Sequence, residues 1–257
     1  MMAIKDPENH LKKIRDVTLF QMNKEQYLMI ACHSNAGMGN KAADFVNVPE
    51  ESIAQFAVRD PLFEIIALRG KPFYINESLT VEFDPTGKKI SEAIKDYVCE
   101  SGITDDIQFS CSTEDYIPTI QTGIGITVLG LVNIKDFQTA RTEHGDVLAV
   151  VGKPKCNLHD KVNIDDQDII SLSEINLIHK LPYVHDIFPV GAKGIQHELD
   201  RFTVETNLEI LLEGQGEIDF QASAGFSTCV IISLPRSQVT NLRNYIQSPV
   251  NIIGSIK

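Results

Sequence analysis

The chain has 257 residues, 43% of them hydrophobic and 23% charged, enough to bury a sizeable core in one large domain or two ordinary ones. With 23 basic and 35 acidic side chains its net charge is -12, which argues against non-specific attraction to nucleic acid or an anionic membrane, so a phosphate-bearing ligand would need local help from amides, a few cations or a metal ion. Its five cysteines (Cys32, Cys99, Cys111, Cys156 and Cys229) are scattered and odd in number, without a C-x-x-C, which fits neither a disulfide framework nor a zinc site.

Residues 1–15 are polar and are expected to form a loose arm or a short helix. The opening MMAIKDPENHLKKIRD lacks an apolar core, so no signal peptide is expected, and the compartment that fits is the cytoplasm. Residues 17–20 and 27–31 read as two strands around a turn at 22–25. The second strand runs into Cys32-His33-Ser34-Asn35-Ala36-Gly37-Met38-Gly39-Asn40-Lys41, read as a flexible loop of small residues ending in a lysine. Such loops can turn several backbone N–H groups toward phosphate oxygens. The G-x-x-x-x-G-K-S/T spacing is absent, and most glycine-containing loops are only turns. Pro49-Glu50-Glu51 suits the first turn of a helix, since acids there meet the positive end of the helix dipole. Pro61 is expected to break that helix after Asp60, with a second helical segment running to Arg69 and closing at Gly70. A strand over 72–83, a turn at 84–87 and a helix over 91–99 follow.

The stretch FSCSTEDYIPTIQTGIGITVLGL, residues 109–131, draws the most interest. Small hydroxyl and acidic residues, Ser112-Thr113-Glu114-Asp115, precede a strand interrupted by Gly123, Gly125 and Gly130. Glycine weakens a strand, so three of them suggest that another backbone or a ligand comes close. A carboxylate pair on a tight loop beside that strand suits a metal or a polyphosphate; an ordinary polar turn before a buried strand reads equally well. The run 124–134 is the longest apolar one and is far short of a membrane span.

The hydrophilic stretch 135–145 is the expected domain boundary. Beyond it the pattern gives strands at 146–151, 208–212, 228–234 and 250–256, with helices at 166–180, 193–205 and 238–246. Without a regular βαβ alternation, two α+β domains are expected rather than one doubly wound sheet. In the loop Asp186-Ile187-Phe188-Pro189-Val190-Gly191-Ala192-Lys193-Gly194, glycines flank a lysine just before a helix, where amides can receive an anion; a helix entry with a solvated lysine fits as well. His179, His185 and His197 have no ligand spacing and read as ordinary histidines.

Three stretches together, IACHSNAGMGNK, CSTEDYIPTIQTGIGITVLG and HDIFPVGAKGI, resemble the AIR synthase superfamily of ATP-dependent enzymes, and within it the α-ribazole kinases of cobalamin salvage. The C-terminal SAGFSTCVIISLP and PVNIIGSI add to the likeness, which runs from about Arg15 to the end. The resemblance implies an arm at 1–15, an ATP-binding and dimerising α+β domain at 16–135, and a C-terminal α+β domain at 145–257. It implies a homodimer acting on a small molecule, with ATP and Mg²⁺ as cofactors. Gly37, Gly39, Asn40, Lys41 and Thr113, with Gly191, Lys193 and Gly194, would lie on the nucleotide side; Glu114 and Asp60 would hold metal. Asp115 and Asp186 are the candidates for the general base. His33 stands where the family pattern has an acid, and imidazole is a poor exchange for a carboxylate at a hard Mg²⁺ site. A second reading therefore stands beside the kinase: a diverged, non-catalytic protein of the same fold that binds a nucleotide or a partner.

Overall fold

The computed structural model describes residues 6–103, 106–137, 139–156, 162–214 and 218–257. Residues 1–5 of the expected arm, Gln138 in the expected boundary and 157–161 of the polar loop after 151 lie outside the described residues. The chain divides into two compact units, Met1–Gln138 and Thr139–Lys257.

In the first unit the elements are β1 (Leu11–Ile14), β2 (Val17–Gln21), β3 (Gln26–Ala36), β4 (Met38–Gly39), β5 (Val46–Asn47), α1 (Glu50–Ala67), β6 (Lys71–Leu79), α2 (Lys88–Glu100), β7 (Gln108–Ser112) and β8 (Gly123–Asn133). Six strands form a sheet in the order β1-β2-β3-β8-β6-β7, antiparallel except for β6–β7. The period-two alternation sends Met29, Ala31, Ile124, Ile126 and Val128 to the face covered by α1 and α2, where they are buried. Leu28, Ile30, Leu129 and Leu131 take the opposite face and are only half-buried.

Several expectations change here. Of the expected arm or short helix, Pro7–His10 form a short 3-10 helix, while 11–14 are an edge strand; paired lysines at Lys12 and Lys13 suit an exposed sheet edge. The predicted loop at 32–41 is strand as far as Ala36, because each residue from Cys32 to Ala36 pairs with β8. Pro61 does not break α1, which runs through it. The cost of an interior proline, ~3 kcal/mol, is outweighed by packing: Ile53, Phe56, Leu62, Phe63, Ile65 and Ile66 are all buried. Arg59 is buried too, its guanidinium 4.7 Å from the Phe63 ring centroid and donating to the Tyr97 hydroxyl at 2.8 Å. Two of the three glycines of β8, Gly123 and Gly130, make room for the protein's own side chains. A Cβ at Gly130 would lie 2.6 Å from Ile65 Cγ2, and one at Gly123 would collide with Thr80.

The second unit holds β9 (Asp146–Gly152), α3 (Leu172–Ile178), β10 (Ile187–Val190), α4 (Gly194–Thr206), β11 (Ile210–Leu212), β12 (Cys229–Pro235), α5 (Val239–Tyr245) and β13 (Val250–Ile256). Its antiparallel sheet has the order β10-β12-β9-β13-β11. Every residue of β9 is buried, so this central strand is covered on both faces. On one face Leu148, Val150, Phe188, Ile195, Leu199, Phe202 and Ile231 form a single core. The helix predicted at 166–180 starts only at Leu172. Ser171 and Glu174 form a capping box there, and the preceding acids Asp166 and Asp168 are drawn aside to hold Lys155 at 2.7 and 2.9 Å.

Candidate functional site

At the end of the sheet where β3 finishes and β8 begins, the chain folds a loop over itself. Gly39 has φ +149°, and a Cβ there would lie 2.5 Å from Thr122 Oγ1 and 2.8 Å from Asp44 Oδ2, so only glycine fits. The Gly37 amide donates to the Thr122 carbonyl at 2.9 Å and the Ala43 amide to the Ile120 carbonyl at 2.8 Å. Asp44 binds the loop together, accepting from the Lys41 amide (2.8 Å), the Thr122 amide (2.8 Å) and the Thr122 hydroxyl (2.7 Å). The Lys41 ammonium donates to Glu82 at 2.5 Å and to the Thr119 carbonyl at 3.3 Å, while the Asn40 side chain donates to Glu50 at 2.9 Å.

Glu82 in turn joins this loop to the acidic turn after β7. Its second oxygen accepts from the Thr86 hydroxyl. Partial burial pushes its pKa up, but the bonds from Lys41 and Thr86 prevail and hold the carboxyl below its usual range. The next residue, Phe83, donates its amide to Asp115 at 2.7 Å, and the Thr113 hydroxyl donates to the other Asp115 oxygen at 2.7 Å. Those bonds, the Phe83 amide first, lower the pKa of the exposed Asp115. The Glu114 amide reaches the Val81 carbonyl at 2.9 Å, and its Oε1 accepts the amides of Tyr116 and Ile117, each at 3.0 Å. Lys41, Thr113, Glu114 and Asp115 are thus brought into one neighbourhood, with Asn40 held beside it by Glu50. Large apolar side chains stand exposed on the same loops: Phe45 (86%), Phe83, Tyr116 (91%), Ile117 and Ile120.

Sequence reasoning missed Asp44, Glu82 and Thr122, and read Glu50 only as an acid of the first helical turn, yet these four do most of the holding. Their side chains look like any solvated acids or hydroxyls in the sequence, and only the folding of the loop onto 119–122 gives them partners.

Asp60 lies elsewhere in the unit, on the helix-covered face of the sheet. His33 Nδ1 is 3.0 Å from its Oδ2. Burial lowers the His33 pKa, yet Asp60, with help from Asn35, overcomes it and leaves the imidazole more basic than usual. Asp60 Oδ2 is therefore taken up by the His33 ring in this structure. Among the described residues no three His, Cys, Asp or Glu side chains converge to hold a metal ion. Along the same register row, His33 opposite Ile126 opposite Glu77 opposite Cys111, the Glu77 carboxyl is fully buried, with neither oxygen in a hydrogen bond of normal geometry. Burial pushes the Glu77 pKa up against the pull of nearby Ser91, Cys111 and Lys95; burial and Glu77 in turn push the Cys111 thiol up to about 11, which leaves it a poor nucleophile.

In the second unit Asp186 is buried and faces inward. It accepts from the Thr142 amide at 2.8 Å and the Thr142 hydroxyl at 2.6 Å, and that hydroxyl contacts Ser233 Oγ at 2.6 Å. Gly194 has φ +80°, and a Cβ there would lie within 3 Å of the Ala222 and Phe220 carbonyls. The Gln196 amide at the start of α4 is taken by Phe220, and the Ala224 amide by Gly191. Lys193 is exposed. The start of α4 is therefore met by the chain's own 220–224 segment. A cavity of about 430 Å³ in this unit is lined by Asp165, Asp166, Ser171, Glu174, Tyr245 and Ser248 among others, and by none of the residues singled out in the sequence. Its Glu174 is committed to capping, with amides of Ser171, Gln247 and Ser248 on its two oxygens.

No family model matches the chain, and no curated protein does. Solved structures do match. Thiamine monophosphate kinase from Aquifex aeolicus superposes with a TM-score of 0.66 at 14% identity, covering 95% of this chain and 89% of that one. HypE, a hydrogenase maturation protein of E. coli, gives 0.61 at 13%, covering 88% and 79%. The chain has an AIR synthase-like fold. PurL of Thermotoga maritima, solved in complex with ATP, gives 0.64 at 11%, covering 98% of this chain but only 44% of PurL. The A. aeolicus kinase has also been solved with AMPPCP and TMP, and matches with a TM-score of 0.64. At these identities the likeness is one of fold. No helix among the described residues is long and apolar enough to cross a membrane.

Proposed function

We propose that this chain is an ATP-dependent kinase-like enzyme that moves the γ-phosphoryl group to a small alcohol, with the phosphates received by the first unit. The observation that carries this reading is the Lys41 ammonium, fixed at the sheet end within the loop closed by Gly37, Gly39 and Asp44 and joined through Glu82 to the Thr113–Asp115 turn. Phosphoryl transfer needs positioning and charge neutralisation more than covalent help from the protein, so an ordered lysine and turned amides are the relevant equipment. Proteins with this fold include a thiamine monophosphate kinase solved with AMPPCP and a PurL solved with ATP, which supports the choice of nucleotide. The exposed apolar rim of Phe45, Tyr116 and Ile120 suits the base or ring of a bound ligand. The acids of the site are bonded to protein donors, so the reading calls for no metal cage built by the protein; Mg²⁺ would enter with the nucleotide's phosphates.

α-Ribazole is the acceptor to test first, on the strength of the sequence resemblance. The half-buried apolar face of the first sheet, Leu28, Ile30, Leu129 and Leu131, supports a homodimer formed through that face. Transfer from γ-labelled ATP with Mg²⁺ to α-ribazole, thiamine monophosphate and other small alcohols tests the reading. A phosphorylated product that disappears with Lys41→Met is the expected result. ATP binding without transfer to any acceptor would favour the diverged, non-catalytic protein, a reading that the His33–Asp60 pair favours in this chain.

A further inference from the structure

Three polar donors of the 37–48 loop are held by carboxylate oxygens, while its Gly37 and Ala43 amides go to backbone carbonyls. The Asn40 amide group goes to Glu50, the Lys41 backbone N–H to Asp44, and the Lys41 ammonium to Glu82. A carboxylate and a phosphate present the same kind of acceptor to these donors, and a phosphate carries more charge. The three acids are not equally committed. Asp44 also holds the amide and hydroxyl of Thr122, so the loop's shape depends on it. Glu50 is buried, with Lys89 3.8 Å away. Glu82 is held by the Lys41 ammonium and the Thr86 hydroxyl, and its side chain is 35% exposed against 11% for that of Glu50. It is the acid an incoming anion can reach and push aside.

We infer that Glu82 is a built-in competitor for the phosphate position at Lys41, setting how much negative charge a ligand must bring before it binds. This rests on the nucleotide reading given above. A monoanion gains little by exchanging with Glu82, because it replaces one carboxylate charge with another. A polyphosphate gains, because its several charged oxygens can take the ammonium and the loop amides together. The contact therefore selects for polyphosphates and keeps the loop ordered when no ligand is bound.

The test is calorimetric titration of the full chain and its variants with ATP and, separately, with inorganic tripolyphosphate. Glu82→Gln keeps the shape and the neutral bond to Thr86 while removing the competing charge, and is expected to bind both probes about tenfold tighter than the wild type. Glu82→Asp, whose shorter side chain draws back from Lys41, is expected to fall between, and serves if the glutamine variant does not fold. Wild-type ATP binding that is unchanged or weakened in both variants overturns the inference and leaves the nucleotide reading standing. Tripolyphosphate binding tightened by Glu82→Gln without any binding of ATP supports the competitor and overturns the nucleotide reading. Binding of neither probe to any of the folded proteins overturns both.

Discussion

Two glycine–lysine loops in this chain, Gly37 to Lys41 and Gly191 to Gly194, look alike in sequence and are built differently. In the first, backbone carbonyls take the Gly37 and Ala43 amides, but the Asn40 side chain and the Lys41 amide and ammonium are held by carboxylate side chains, Glu82 above all. In the second, the amides are satisfied by backbone carbonyls of Gly191 and Phe220, and the neighbouring acid, Asp186, is buried against Thr142. A side chain can swing away and leave its donor to a ligand, whereas a backbone carbonyl in a packed segment cannot. The same residue types therefore leave side-chain-held donors in the first unit, which the proposed function uses, and backbone-held amides in the second.

That contrast can be broken by mutation. The largest effect is expected in the second unit: Asp186→Ala strips the acceptor from two buried donors of Thr142 and should lower the unfolding free energy by ~3 kcal/mol in urea titrations. A loss too small to measure would mean that the Asp186–Thr142 contact is not where the second unit's stability lies. The exposed counterpart Asp115→Ala should shift the same titration far less. Asp44→Ala removes three hydrogen bonds from the 37–48 loop; a cost of ~2 kcal/mol is expected, with faster hydrogen exchange at the Lys41 and Thr122 amides. Unchanged exchange would show that the loop is held by something other than Asp44.

Smaller effects are expected on the helix-covered face of the first sheet, and they depend on pH. The folded pKa of Glu77 is raised above its reference value of 4.5. Its contribution to stability is therefore fully present below that value and lost as pH rises through the folded pKa. Glu77→Gln should gain on the order of 1 kcal/mol over the wild type at neutral pH, with no gain in acid. Equal stability of the two proteins at every pH would place a partner on the Glu77 carboxylate. His33 is also raised, from 6.5, so its pairing with Asp60 stabilises most below that pH and fades as pH rises through the folded pKa. Replacement by Gln should flatten the melting temperature in that window by a few tenths to ~1 kcal/mol equivalent; a curve parallel to the wild type would remove the pair from the account.

Much of the fold could be read from the sequence, because strands such as β9, β12 and β13 are long apolar runs between turn signals, and tertiary context left their type unchanged. Where reading failed, long-range packing had overruled a local signal. Pro61 lies in a helix whose buried face outweighs one lost hydrogen bond, and Cys32 to Ala36 look like a loop until β8 is there to pair with them. The candidate site was legible at Lys41 and at Thr113 to Asp115, since small residues beside charge stand out. Glu82 and Asp44 were not, because an acid's importance depends on what the folded chain lays against it. His33 was noticed as an oddity, but its partner on α1 could be found only in three dimensions.

The most direct test of the account is calorimetric titration of ATP into the wild-type 257-residue chain, with Lys41→Met and Lys193→Met alongside. The account predicts saturable binding by the wild type, weakened about tenfold or more by the loss of the Lys41 charge and left nearly unchanged by the loss of Lys193. No binding at millimolar ATP, or binding that depends on Lys193 and ignores Lys41, would contradict it.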